Sequence, residues 1–212
     1  WCVSHLRQAI LNKEEHVSRI AHVETLAAYV HRLLTGKNVI GIDDASGMFP
    51  IDSTTFDFNK VMAQDFEKLT GFDVFKVFPK VLVAGQEAGC LTAEGAKLLD
   101  PAGDLETGIP FAPPEGDAGT GMAATNSVRL NTGNVSAGTS DFAMVVTDAK
   151  LGVHREIDMV TTPAGPAVAM VHCNNCTTDI NSWINLFGQF ASAAGINIDK
   201  NQLFTMLYSI AL

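Results

Sequence analysis

The 212-residue sequence contains no apolar run long enough to span a membrane, since its longest apolar stretches are short and broken by Gly or polar residues. Positive charge is scarce: 14 Lys and Arg stand against 23 Asp and Glu, for a net charge of −9. That balance argues against a nucleic-acid footprint, which needs a basic face. It leaves phosphorylated small molecules open, because backbone N–H groups and helix N-termini hold phosphate without many basic side chains. There are four cysteines, Cys2, Cys90, Cys173 and Cys176, which suit reduced thiols in a cytoplasmic protein better than a disulfide framework. The first residues, "WCVSHLRQAILNKEEHV", have no signal-peptide pattern and no initiator Met, so a trimmed or partial chain is expected. Internal repeats, low-complexity segments, a strand-linked G-x-G-x-x-G and a P-loop are all missing.

What is present is an apolar, weakly charged chain: 47% hydrophobic and 17% charged residues, which argues for a sizeable core and against disorder. Apolar residues at three-to-four spacing predict a helix over residues 17–34, stopped by "TGK". The following "NVIGIDDASGMFPID" reads as a loop with a short strand at most. "DFNKVMAQDFEKLTG" predicts a helix ending at Gly71, and a short helix is expected through "TAEGAKLL". A small-residue helix is expected from "TGMAATNSVRL" onward. Three β-like segments follow, "NVSAGTSDFAMVV", "EIDMVTTP" and "AVAMVHCNN", and then two closing helices, with Asp199 or Asn201 capping the last. The change of pattern near Asn126 is the candidate domain boundary.

Four motifs merit a chemical reading. In "PPEGDAGTGMAATN", Asp117 sits among glycines and reads locally as a turn residue. The functional alternative is that the glycines let a substrate approach its carboxylate, which then accepts a hydroxyl proton. In "NVSAGTSDFAMVV", a tight turn at Gly138, Thr139 and Ser140 is either a hairpin turn or an anion cradle of N–H groups and hydroxyls. "VHCNNCTTD" places Cys173 and Cys176 in a single C-x-x-C beside His172, without the second ligand pair of a structural zinc site. A redox role is its other reading, and buried small residues at a strand-to-helix turn is the plain one. Asp43 and Asp44 in "GIDDASGM" form a carboxylate pair, a pattern more typical of solvated or capping acids. His5, His16, His22, His31 and His154 are scattered and support no His-based nucleophile system.

Taken in order, "LAAYVHRLLTGKNVIGIDDASGMFPID", "GIPFAPPEGDAGTGMAATN", "TGNVSAGTSDFAMVV" and "MVHCNNCTTDINSW" resemble a carbohydrate kinase of the FGGY family over nearly the whole chain. The resemblance implies an α/β chain of the ribonuclease-H-like, actin-like ATPase fold, two-lobed and only partly represented. Residues 1–125 would be the C-terminal part of the first, sugar-binding lobe, and residues 126–212 the beginning of the second, ATP-binding lobe. It further implies ATP-dependent phosphorylation of a ketose such as a pentulose, or of a related polyol, with Mg²⁺ accompanying ATP. Asp117 would be the general base, Gly116, Asp117 and Ala118 would face the sugar, and Gly138, Thr139 and Ser140 would contact the ATP phosphate. No protein-bound metal is implied, nor a nucleic-acid or membrane partner; a homodimer is the default assembly.

The chain departs from the family pattern in three places. Ala118 stands where many members have Gln, and "CNNCTTD" replaces a Gly-bearing turn around Asn174, Asn175 and Thr178. An Asp-x-Gly-Thr phosphate loop and a late Gly-Gly-x segment are also missing, so the chain is expected to be an internal portion of a kinase, inactive by itself. The rival expectations are a catalytically inactive sugar-binding or regulatory homologue, and a zinc or redox protein using Cys173 and Cys176.

Overall fold

The computed structural model describes residues 1–211. Two units can be distinguished by their internal packing. The first holds Trp1–Asn134 and Met144–Met170; the second holds Val135–Ala143 and the residues from Val171 on.

The first unit opens with α1 (Cys2–Leu11) and a 3₁₀ turn at Glu15–Arg19. The helix expected over residues 17–34 is in fact broken: α2 runs only over Leu26–Thr35. The break has a physical cause. Val23 N–H donates to Val77 O at 2.9 Å, which takes that stretch out of any helical ladder. Thr25 then caps α2, accepting from Ala28 N at 3.3 Å. At its other end, Gly36 takes the left-handed conformation that terminates the helix.

The segment expected to be a loop is the centre of this unit. Strand β1 (Val39–Gly41) runs directly into helix α3 (Ile42–Met48), and β2 (Ile51–Asp52) pairs antiparallel with β3 (Asp57–Phe58). Helix α4 (Lys60–Thr70) follows as expected, capped by Asn59 and ended by left-handed Gly71. Strand β4 (Lys80–Leu82) pairs parallel with β1 in the register Val39↔Lys80. Buried Ile40, Ile42, Ala45, Met48, Phe49, Phe58 and Phe78 form one apolar core around β1 and α3. Within it the Phe49 ring meets Phe58 and Phe78 near edge-on, with centroids 6.2 and 5.9 Å away.

Helix α5 (Ala93–Leu99) is capped by Thr92, in line with the sequence. Helix α6 (Asp117–Ala124) starts three residues before the expected point and also stops earlier. Strands β5 (Gly133–Ala137), β6 (Asp141–Val146), β7 (Asp158–Thr161) and β8 (Ala167–Cys173) form a sheet in the order β5-β6-β8-β7, with β7 antiparallel to β8. These strands coincide with the expected β segments. The second unit ends in α7 (Thr177–Ala193) and α8 (Lys200–Ala211), and Asp199 Oδ1 caps the latter by accepting from Asn201 and Gln202 N–H at 2.8 and 2.9 Å. No helix among the described residues is long and apolar enough to cross a membrane.

Candidate active site

Two helices that bear acids, α3 and α6, both start at a glycine and therefore have no side-chain cap of their own. The first N–H groups of a helix lack intrahelical partners, and something must satisfy them. Glu115, just ahead of α6, reaches across to the start of α3: its carboxylate accepts from Asp44 N at 2.9 Å and from Asp43 N at 3.4 Å. In return, the Asp43 carboxyl on α3 lies against the backbone of Gly119 in the first turn of α6, filling the space an added Cβ would need. Glu115 thus supplies the cap that Gly41 cannot, and Asp43 packs against the start of α6. Gly41 N–H donates to Pro114 O at 2.7 Å and fastens the two approaches together.

The glycines at this crossing are dictated by space. A Cβ at Gly41 would collide with the Glu115 carboxyl, and one at Gly119 with the Asp43 carboxyl. A third helix start joins in through Thr25, whose hydroxyl donates to Asp44 Oδ2. The floor of α3 is fixed by Thr161, which donates from Oγ1 to Ile42 O at 3.0 Å and from N to Ser46 Oγ at 3.1 Å.

Burial dominates the electrostatics. It pushes the Glu115 carboxyl up to about 8, against the lowering effect of its two backbone N–H donors. Asp43 rises to about 7, first through burial and then through the charge of Asp44, with the Gly119 N–H bond opposing and Asp117 adding to the rise. Asp44 is raised as well, chiefly by burial, although the Thr25 hydroxyl pulls it down. Asp117 is the first residue of α6 and is exposed, whereas Asp43 is buried and Asp44 and Glu115 are half-buried. The cluster thus has one member turned to solvent, at a helix N-terminus that favours negative charge.

Asp117 is accordingly a helix-start residue instead of a turn residue. Gly116 is the N-cap of α6 and lies beside Asp44, to whose Oδ1 an added Cβ would approach within 3.5 Å. Ala118 follows Asp117 in the first turn and is half-buried. Asp43 and Asp44 are a buried and a half-buried acid in the first turn of a helix, rather than solvated loop residues. Glu115 went unnoticed in the sequence, because nothing local ties a Glu in "PPEGD" to a helix more than 70 residues earlier.

The second sequence motif lies in the second unit. Gly138, Thr139 and Ser140 make the turn between β5 and β6, closed by Gly138 N–H donating to Ser140 O at 2.8 Å. The start of α7 holds this turn: Thr177 N donates to Gly138 O and Cys176 N to Thr139 O, both at 3.1 Å. Ser140 Oγ donates to Asn174 O at 3.4 Å. A Cβ at Gly138 would meet nothing nearer than Ser140 O at 3.9 Å, so packing within the chain does not require a glycine here. Cys173 and Cys176 are free thiols, and Cys173 Sγ lies 3.3 Å from Asn175 O. Of the histidines, His22 lies in the extended segment before α2. His31 is buried on α2, with its Nε2 2.9 Å from Ala88 O and its ring edge-on to Phe111.

The arrangement is that of an α/β chain with the actin-like ATPase fold, carrying an acid cluster in one unit and a tethered hairpin turn in the other. Residues 133–209 match the model of the FGGY family of carbohydrate kinases, C-terminal domain. No curated protein matches the chain. Among solved structures, a xylulose kinase from Brucella ovis superimposes with a TM-score of 0.71 at 18% identity, covering 93% of this chain and 38% of that one. A xylulose kinase from Rhodospirillum rubrum gives 0.71 at 20% identity, covering 92% and 38%. A gluconate kinase from Lactobacillus acidophilus gives 0.71 at 16% identity, covering 85% and 35%. The chain therefore spans well under half the length of these structures, and the likeness extends over both of its units.

Proposed function

We propose that the protein carrying this chain phosphorylates a sugar, a ketose such as a pentulose or a related polyol, with ATP as donor. Asp117 acts as general base on the acceptor hydroxyl. The observation that carries this reading is the position of Asp117: it is the exposed carboxylate of the acid cluster, at the first residue of a helix. A hydroxyl brought to it loses its proton to the carboxylate as its oxygen bonds to the γ-phosphorus of ATP and the bond from that phosphorus to the β–γ bridging oxygen breaks, releasing ADP. Phosphoryl transfer asks the protein for positioning and charge stabilisation more than for an unusual nucleophile.

Gly116 and Ala118 flank the base and form the floor against which the sugar rests. On the nucleotide side, the turn Gly138–Thr139–Ser140 faces the transferable phosphate. The N–H of Gly138 is already used within the turn, so its contribution is the open space left by its missing side chain, and Thr139 and Ser140 supply the polar contacts. ATP brings the phosphoryl group and Mg²⁺ neutralises its charge; no group of metal-ligating side chains occurs among the described residues, so none is assigned to the ion. In the lobe assignment we favour, residues 1–125 close the sugar-binding lobe and residues 126–212 begin the ATP-binding lobe.

The test is Asp117→Asn in the protein carrying this chain, assayed with ATP and a panel that includes xylulose, gluconate and glycerol. Phosphorylation is expected to be lost while sugar binding, followed by calorimetry, is retained. Unchanged turnover would sink the assignment. Sugar binding without ATP turnover in the unaltered protein would instead identify a sugar-binding homologue.

A further inference from the structure

The contact between α3 and α6, a Glu115 cap on one side and the Asp43 carboxyl against Gly119 on the other, sets the one backbone segment that carries Asp117. Its two halves differ in reach. Glu115 caps α3 from a loop, and Asp43 packs against the first turn of α6 from within a helix whose own start Glu115 holds. Shifting Glu115 frees the first turn of α3, and with it the Asp43 side chain that meets the first turn of α6. Gly41 leaves no alternative cap, yet its backbone has the extended conformation (φ −71°, ψ 151°) that N-cap residues adopt. The room a side chain at residue 41 would need is filled by the Glu115 carboxyl itself.

We propose that Glu115 and Asp43 are positioning residues for the phosphoryl-transfer step, acting as a reciprocal clasp that fixes the first turn of α6 and hence the Asp117 carboxylate. This rests on the reading of Asp117 as the general base. Neither residue needs to touch the sugar. The clasp holds the base in line with the acceptor hydroxyl, where small displacements weigh heavily on rate. The geometry also specifies its own repair: a carboxylate moved from residue 115 to residue 41 occupies the same space and caps the same two N–H groups.

The experiment compares Glu115→Ala, Gly41→Asp/Glu115→Ala and Asp117→Asn in the protein carrying this chain, with ATP and xylulose, gluconate and glycerol as acceptors. Glu115→Ala is expected to lower kcat by about tenfold or more while the acceptor KM stays nearly constant, the signature of a lost transition-state arrangement. Gly41→Asp/Glu115→Ala is expected to bring kcat back to within about threefold of the original protein. A merely structural role would move the thermal midpoint without this kcat-specific loss and rescue. If Asp117→Asn is inactive but Glu115→Ala keeps its kcat, the clasp is overturned and the base stands. Turnover surviving in Asp117→Asn overturns the base and the clasp with it. Should Glu115→Ala not fold, the double variant decides: restored kcat supports the clasp, and a folded but slow double variant overturns it.

Discussion

Glu115 and Asp43 show how burial sets the protonation of a residue whose hydrogen bonds alone would favour the anion. Their carboxyls are raised to about 8 and about 7, so each binds its proton more tightly in the folded chain than in the unfolded one. For an acid shifted upward the sign is fixed. Stability is greatest below the ordinary carboxylate range, falls as pH rises through the interval up to the folded values, and levels off above them. The thermal midpoint is therefore expected to drop between pH 5 and pH 9, and Glu115→Gln, which cannot ionise, should shrink that drop. Melting curves across this range check it; an equal drop in the variant would place the ionisation elsewhere. Asp117 was recognisable in the sequence through its Gly-Asp setting. Glu115 was not, because its partners, the N–H groups of residues 43 and 44, lie far away along the chain.

At the scale of elements, caps and glycines decide where helices begin and how closely they approach. Thr92 caps α5, accepting from Gly95 N at 3.0 Å, and its hydroxyl also donates to Leu34 O at the end of α2, at 3.1 Å. Thr92→Ala is expected to cost about 1 kcal/mol, read from chemical denaturation. Gly95 lies against the same turn of α2, and a Cβ there would collide with the Leu34 carbonyl. Gly95→Ala should therefore be destabilising by about 1–3 kcal/mol despite its gain in helix propensity, because backbone cannot yield as a flexible side chain can. Helices α4 and α5 were legible because their caps, Asn59 and Thr92, are local. Helix α3 was not: its seven residues include Gly and two acids, its cap arrives from Glu115, and its burial comes from the surrounding aromatic core. The helix expected over residues 17–34 failed for the converse reason, since a tertiary hydrogen bond from Val23 outcompeted a sound apolar rhythm.

For the whole molecule, the two motifs of the proposed function fall in different units. The acid cluster lies entirely in the first unit and the Gly138–Ser140 turn in the second. Gly138→Val should accordingly weaken nucleotide binding while leaving acceptor binding unchanged, because the site has room for a side chain within the chain itself. Calorimetry with ATP and, separately, with the acceptor checks this; a matched loss of both would remove Gly138 from the phosphate contact. The exposed apolar side chains of α7, Trp183 and Phe190 among them, belong to a chain that spans 38% of the length of the xylulose kinase structures it resembles.

The sequence by itself determined the elements whose signals are local: α4, α5, the strands of the sheet, the closing helices, and the Gly-Asp and Gly-Thr-Ser motifs with the resemblance they carry. Tertiary structure alone decided that Asp43 is buried and Asp44 half-buried, that Glu115 caps the helix they begin, and that Asp117 opens a helix. The physical reason is the same in each case. A cap, a collision with a missing Cβ, or a raised carboxyl depends on which backbone arrives in space, and no window along the chain contains both sides of that contact.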